Sequence, residues 1–123
     1  MTQSLMKMRH AAVLALVGWY LMGPPLDTKN GVIYFDTPIS AWSTAGVFDA
    51  AAECTKRRDA LIAQDKEDDK EYAKSSPPVQ KEFDAGLDKA LGTPAGVGRT
   101  IDFSRWVKSY RCIATDDPRL RTN

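Results

Sequence analysis

The chain has 123 residues, of which 43% are hydrophobic and 27% charged, with a formal net charge of +1. That length suits one domain of roughly 100 residues plus appendages, and the apolar fraction is enough for a core. A charge so near neutral argues against bulk electrostatic attraction to nucleic acid or to an anionic membrane surface.

The N-terminus bears on compartment. Lys7, Arg9 and His10 precede an uncharged apolar run from Ala11 to Gly23. A positive flank followed by about 7–15 apolar residues is the form of a secretory signal. The run falls short of the roughly 20 residues a transmembrane helix needs. Leu16-Val17-Gly18 ends in a suitable small residue for cleavage, but Leu two places before it is poor. Residues 1–18 are read as a signal-like or anchor segment and residues 19–123 as a single small domain. Export is favoured over the competing reading, a buried N-terminal strand in a cytosolic protein. Cleavage and retention both stay open, and with retention goes membrane association through residues 11–23.

Trp19 to Met22 is aromatic and apolar, which suits a strand. Gly23-Pro24-Pro25 ends it, because proline lacks the ladder donor. Asn30-Gly31 is a turn signal, and Val32 to Phe35 is expected to form a hairpin with 19–22. After the break at Asp36-Thr37-Pro38, residues 41–48 read as a strand, bulged at Gly46. Asp49 is expected to cap the helix that follows, and Ala50, Ala51 and Ala52 favour that helix. Ala51, Cys54, Arg58, Leu61, Ile62 and Asp65 fall on one face, while Lys56, Arg57 and Asp59 point elsewhere. The helix is expected to run to Lys70 or Tyr72 as a charged, solvated extension. Ser76 then caps a second helix with Pro77 at its first position. Val79, Phe83, Leu87 and Leu91 form its single apolar stripe, and Gly92 stops it. Residues 92–100 read as a Gly/Pro loop. The period of 101–110 does not separate strand from short helix. Tyr110 to Ala114 reads as a last strand, followed by a turn at Thr115 to Pro118 and a basic tail. The fold class is α+β: a small antiparallel sheet (19–22, 41–48, 110–114) covered by one long helix, 49 to about 70, with a second shorter helix at 77–91.

Charge is uneven. Residues 99–121 carry Arg99, Arg105, Lys108, Arg111, Arg119 and Arg121 against Asp102, Asp116 and Asp117. Residues 65–71 carry Asp65, Glu67, Asp68, Asp69 and Glu71 against Lys66 and Lys70. Two solvated surfaces that face one another are the favoured reading.

Candidate chemistry is sparse. Gly96-Val97-Gly98-Arg99-Thr100 echoes the end of a phosphate-binding loop, but Thr93 stands where the earlier glycine is needed and Arg99 replaces the lysine. Asp65, Glu67 and Asp69 alternate like the start of a calcium loop, yet Lys70 and Ser76 occupy the positions that require glycine and glutamate. The only histidine, His10, sits in the targeting segment, which removes imidazole-based catalysis and a histidine metal site. Two-carboxylate chemistry retains Asp49, Glu53, Asp102, Asp116 and Asp117 as parts. Trp19, Trp42, Trp106 and Tyr110 are read as core before ligand platform. No catalytic, cofactor-binding or metal residue is assigned, and no cofactor is expected. Two cysteines 58 positions apart leave a pair of buried thiols or one disulfide; a bridge over so long a loop stabilises by about 4 kcal/mol in the chain-entropy model.

Three pieces are familiar in combination: Gly18-Trp19-Tyr20-Leu21-Met22-Gly23-Pro24-Pro25, then Phe48-Asp49-Ala50-Ala51-Ala52-Glu53-Cys54, then Arg111-Cys112-Ile113-Ala114-Thr115-Asp116-Asp117-Pro118-Arg119-Leu120. Their order resembles a group of uncharacterised short exported bacterial proteins. In that group WYL is followed by paired prolines, FD leads to a cysteine, and a second cysteine precedes DDPRL. The resemblance leaves out residues 63–109. It implies an oxidising compartment, periplasmic or extracellular, and pairing of Cys54 with Cys112. It implies no activity. The expected function is an exported, non-enzymatic domain with a binding or structural role and an unknown partner, held by that disulfide. The alternatives are a membrane-tethered accessory protein and a small carboxylate-based hydrolase.

Overall fold

A computed structural model of the chain describes residues 17–121. The signal-like segment up to residue 16, with His10, lies outside the described residues. The elements in chain order are β1 (Trp19–Gly23), β2 (Leu26–Asp27), β3 (Val32–Ile33), β4 (Ser43–Phe48), α1 (Ala51–Lys74), α2 (Pro77–Leu91), α3 (Phe103–Lys108) and β5 (Arg111–Ala114). Short 3-10 turns lie at Ile39–Ala41, Gly98–Thr100 and Pro118–Arg121. The architecture is the expected α+β one, an antiparallel sheet crossed by a long helix.

β1 is the central strand, with β4 on one side and β5 on the other, both antiparallel. Both of its hydrogen-bonding edges are therefore occupied. That is why the expected hairpin between 19–22 and 32–35 does not form: β3 pairs with β2 in a separate two-stranded ladder. Asn30-Gly31 closes that small ladder, with Gly31 at φ 69. Asp27 organises the same turn, its carboxylate accepting from the Lys29 and Asn30 amides at 3.0 and 3.3 Å. The Asn30 amide group and these backbone donors hold the Asp27 carboxyl below the usual carboxylate range.

Other expectations shift by a residue or two. The fourth strand starts at Ser43, because Ile39–Ala41 takes up a 3-10 turn. Its irregularity is beside Gly46: Leu21 pairs with Gly46 and Met22 with Thr44, so Ala45 is the extra residue. Asp49 does not cap α1. Ala50 holds the N-cap position with no side-chain bond, and the Cys54 amide donates to its carbonyl at 3.2 Å. Ser76 does hold the N-cap position of α2, but through its carbonyl, which accepts from the Gln80 amide at 2.9 Å. Gly92 ends α2 in the left-handed conformation that glycine enters without penalty. The stretch 101–110 contains the short helix α3, whose start Asp102 caps by accepting from the Arg105 amide at 3.1 Å.

Only the first half of α1 lies on the sheet, where it touches all three strands. On its inward face Cys54 is wholly buried and Leu61 packs against the core, whereas Ala51, expected on that face, is exposed. Leu21 on β1 sits opposite Cys112 on β5. The core is Leu21, Cys54 and Tyr110, with Trp19, Phe48, Leu61, Trp106 and Cys112 packed round it. Three of the four aromatic residues expected to be core are there. Gly23 makes the packing possible, because a Cβ at that position would overlap the Tyr110 ring. The other face of β1 carries Met22, and β5 carries Ile113; both are buried.

Cys54 and Cys112 form a disulfide, with Cα atoms 6.0 Å apart, inside the usual span of about 4.4–6.8 Å. One turn further along α1, Arg58 adds a polar tie. Its Nε donates to the Tyr110 carbonyl at 2.6 Å and its Nη2 to the Lys108 carbonyl at 3.0 Å. These carbonyls belong to the end of α3 and the entry to β5, where a cation also meets the negative end of the helix dipole.

The double variant Cys54→Ala/Cys112→Ala is expected to unfold at lower urea concentration, with a loss of about 4 kcal/mol from the 58-residue separation. Arg58→Ala is expected to cost about 1 kcal/mol by removing two bonds to carbonyls, one part-buried and one exposed. Urea denaturation followed by tryptophan fluorescence measures both.

Candidate functional site

A cleft of about 460 Å³ opens between the distal half of α1, α2 and the segment that enters α3. It exists because the two long helices diverge. Past Leu61 and Ile62, α1 carries mainly charge and has no apolar face with which to clasp a neighbour. α1 makes its close backbone contacts with the sheet and α3, and α2 makes its own with the Gly98–Thr100 turn. The corner at Ser75-Ser76 is held by polar bonds: Gln80 donates to the Tyr72 carbonyl at 2.9 Å, and the Tyr72 hydroxyl to Asp84 at 3.0 Å. Tyr72 and Phe83 meet edge to face, ring centroids 5.4 Å apart.

Two kinds of side chain line the cleft. Tyr72, Phe83, Leu87, Ile101 and Phe103 supply an apolar wall. Asp65, Asp68, Asp69, Asp84 and Asp102 supply carboxylates. Asp65, Asp68 and Asp69 share one helix face at spacings of three and four. Against them stands Arg99, whose guanidinium lies 3.9 Å from Asp84. Asp102 caps α3 and Asp68 accepts from Gln64 at 2.9 Å. Burial, then the neighbouring Asp69 and Asp68, raise the proton affinity of Asp65; Lys108 opposes this and Asp102 adds to it. Burial and the bond to Asp84 raise that of the Tyr72 phenol.

α2 leaves its own stripe largely uncovered. Val79 and Phe83 are 49% and 48% exposed, Leu87 and Leu91 are half-buried, and no residue of the helix is buried. An amphipathic helix ordinarily buries such a stripe.

The glycine loop singled out in the sequence has a different occupation. The Asp88 carboxylate accepts from the Gly96 amide at 2.8 Å, the Gly98 amide at 2.7 Å and the Thr93 hydroxyl at 2.7 Å. The amides that would cradle a phosphate hold this carboxylate instead. A Cβ at Gly98 would meet the Asp88 oxygen and the Thr93 hydroxyl.

Of the carboxylates proposed for two-carboxylate chemistry, the structure brings Asp102 to the cleft. Asp49 and Glu53 are exposed at the start of α1, and Asp116 is exposed beyond β5. Asp117 is bound to Arg119, whose Nη2 donates at 2.8 Å, and this holds its carboxyl below the usual range. The calcium-like run Asp65, Glu67, Asp69 is helical, and no cluster able to hold a metal ion occurs among the described residues. No described helix is long and apolar enough to cross a membrane. The last part of the proposed 11–23 tether, Trp19–Gly23, is the central strand β1. Sequence reasoning took 65–71 for a solvated helix end and passed over Asp84; the signal it lacked was that α2's stripe would stay open beside them.

Comparison with protein-family models, curated proteins and solved structures yields no match. The functional reading therefore rests on geometry.

Thr93, Gly96 and Gly98 depress the Asp88 pKa from the value of 3.8 it would have in an unfolded chain. Its contribution to loop order is present above that value and lost as pH falls through the lower folded one. Wild-type protein is expected to lose protection at Gly96 and Gly98 in an acid-dependent step below pH 3.8, and Asp88→Asn to raise their exchange at neutral pH and abolish that step. Hydrogen exchange read by NMR measures both.

Proposed function

We propose that the chain is an exported, non-enzymatic binding domain whose cleft between α1 and α2 takes a basic, amphipathic peptide segment of a partner protein. The single observation that carries the reading is that Phe83 and Leu87, from the open stripe of α2, line one cleft together with five aspartates. An apolar strip exposed beside clustered charge of one sign fits a partner that offers apolar side chains interspersed with lysine or arginine. Phe83, Leu87 and Phe103 would take the apolar contacts, and the two phenylalanine rings attract a cation as well. The Asp65 and Asp69 carboxylates accept no hydrogen bond among the described residues and would take the cationic heads, while Asp84 and Asp102 stay with their own partners.

Export is supported by the Cys54–Cys112 bridge, because such bridges persist in oxidising compartments and are rare in a reducing cytosol. The signal-like N-terminus agrees with it, as does the resemblance to short exported bacterial proteins. A domain of this size gains from a covalent tie what its small core does not supply.

Three measurements test the reading. Protein recovered from its native cells is expected outside the cytosol, with an N-terminus near Trp19 and no free thiol by non-reducing mass spectrometry. Cytosolic protein with two free thiols would overturn the export reading. In calorimetric titration, a basic amphipathic peptide is expected to bind and an acidic peptide of equal length is not. Asp65→Asn/Asp69→Asn is expected to weaken that binding about fivefold, and added salt to weaken it further. Equal affinity for the two peptides would sink the cleft assignment.

A further inference from the structure

The far side of α3 carries a second concavity of opposite sign. A groove of about 330 Å³ is bounded by Phe35, Trp42, Arg105, Lys108 and Arg111, with the buried Pro24 at its base. Three cations from two elements line it: Arg105 and Lys108 from α3, and Arg111 from β5. None has a carboxylate within ion-pair distance among the described residues. Lys108 also acts on Asp65 of the acidic cleft, at longer range.

Helix-end electrostatics explains part of this. Arg105 and Lys108 are in the last turn of α3, where cations complement the dipole. It does not explain Arg111, which is on a strand, or the aromatic walls. The Arg105 guanidinium lies over the Phe35 ring, 4.0 Å from its centroid, and that of Arg111 is 5.9 Å from a Trp42 ring. Trp42 is fixed in turn, its Nε1 donating to the Thr37 carbonyl at 2.8 Å. At the base, Trp106 Nε1 donates to the Pro24 carbonyl at 2.9 Å. The two guanidinium groups thus have rings to rest on, and their charge is unmatched.

We propose that this groove is a binding site for a phosphate-bearing organic anion. A carboxylate carries one negative charge and would leave two of the three cations unmatched. A phosphate monoester carries nearly two at neutral pH and presents three acceptor oxygens, enough for two guanidinium forks and an ammonium. The rings of Phe35 and Trp42 provide a surface for the flat or apolar body that bears the phosphate. The groove's volume is at the small end of ligand pockets, which fits one such group and not a polymer. A soluble phosphoester and a lipid phosphate headgroup share this chemistry.

The test is an NMR titration of the oxidised chain with phenyl phosphate, inorganic phosphate and benzoate. Phenyl phosphate is expected to shift the Trp42, Arg105 and Arg111 signals saturably, with inorganic phosphate weaker at the same residues and benzoate weakest. Arg111→Gln and Lys108→Gln, both at exposed positions, are each expected to lower phenyl phosphate affinity about tenfold while the rest of the spectrum stays native. Co-sedimentation with phosphatidylcholine vesicles, with and without phosphatidic acid, separates the sources. Binding to doped vesicles as well as to phenyl phosphate supports the site with a lipid headgroup as ligand. Binding to phenyl phosphate alone supports it with a soluble one. No saturable shift, or shifts unchanged in the variants, would overturn the proposal. So would shifts that follow protein concentration and vanish in Asp65→Asn/Asp69→Asn, since a second copy would then fill the groove.

Discussion

The structure depends on how α1 is fastened to β5. The disulfide from Cys54 to Cys112 and the Arg58 bonds to the Tyr110 and Lys108 carbonyls lie one helical turn apart and act on the same strand entry. The buried core itself is small, Leu21, Cys54 and Tyr110 with a ring of half-buried neighbours. Hydrophobic burial in a domain of this size leaves little margin over chain entropy. The covalent bond reduces the entropy of the unfolded chain, and the guanidinium satisfies carbonyls that a helix end would otherwise leave to solvent. The bridged position is also where β1, β5 and α1 meet, so one tie orders sheet and helix together.

From that fastening follows the distribution of charge. α3 lies against α1 and leads directly into β5. Its N-terminal approach supplies Asp102 and Arg99 to the acidic cleft, while its last turn supplies Arg105 and Lys108 to the basic groove. The net charge of +1 conceals this separation. The two charged stretches do approach each other where Lys108 feels Asp65, whereas Arg99 pairs with Asp84 of α2, outside the acidic stretch. Most of the cations nevertheless face away. Exposed pairs of this kind contribute about 0–1 kcal/mol each, so the arrangement matters for recognition more than for stability.

Much of the fold was legible because local signals agreed with each other. Pro77, the stripe of α2 and Gly92 mark start, face and stop of one helix within a residue. Strand β1 could be read from its aromatic content and its terminating prolines. What could not be read was pairing. Nothing local distinguishes β1 as the central strand, and its occupied edges exclude the expected hairpin with 32–35. The cap at Asp49 falls one residue early: Ala50 holds the N-cap position, and the helix starts at Ala51 without help from a side chain. The cleft was the least visible feature. Its aspartates come from α1, α2 and the loop before α3, and a helix that leaves its stripe open has the same periodicity as one that buries it.

α1 has 24 residues, about 36 Å of rod, and its anchorage to the sheet is concentrated near one end. Cys54, Arg58 and Leu61 clamp one end to the sheet, and the charged far end is tied to α2 through the Tyr72–Asp84 bond and the Tyr72–Phe83 ring contact. The two ends of a single rod thus serve different neighbours: one is locked to the strands, and the other forms one wall of a cleft whose opposite wall is fastened to it at the corner.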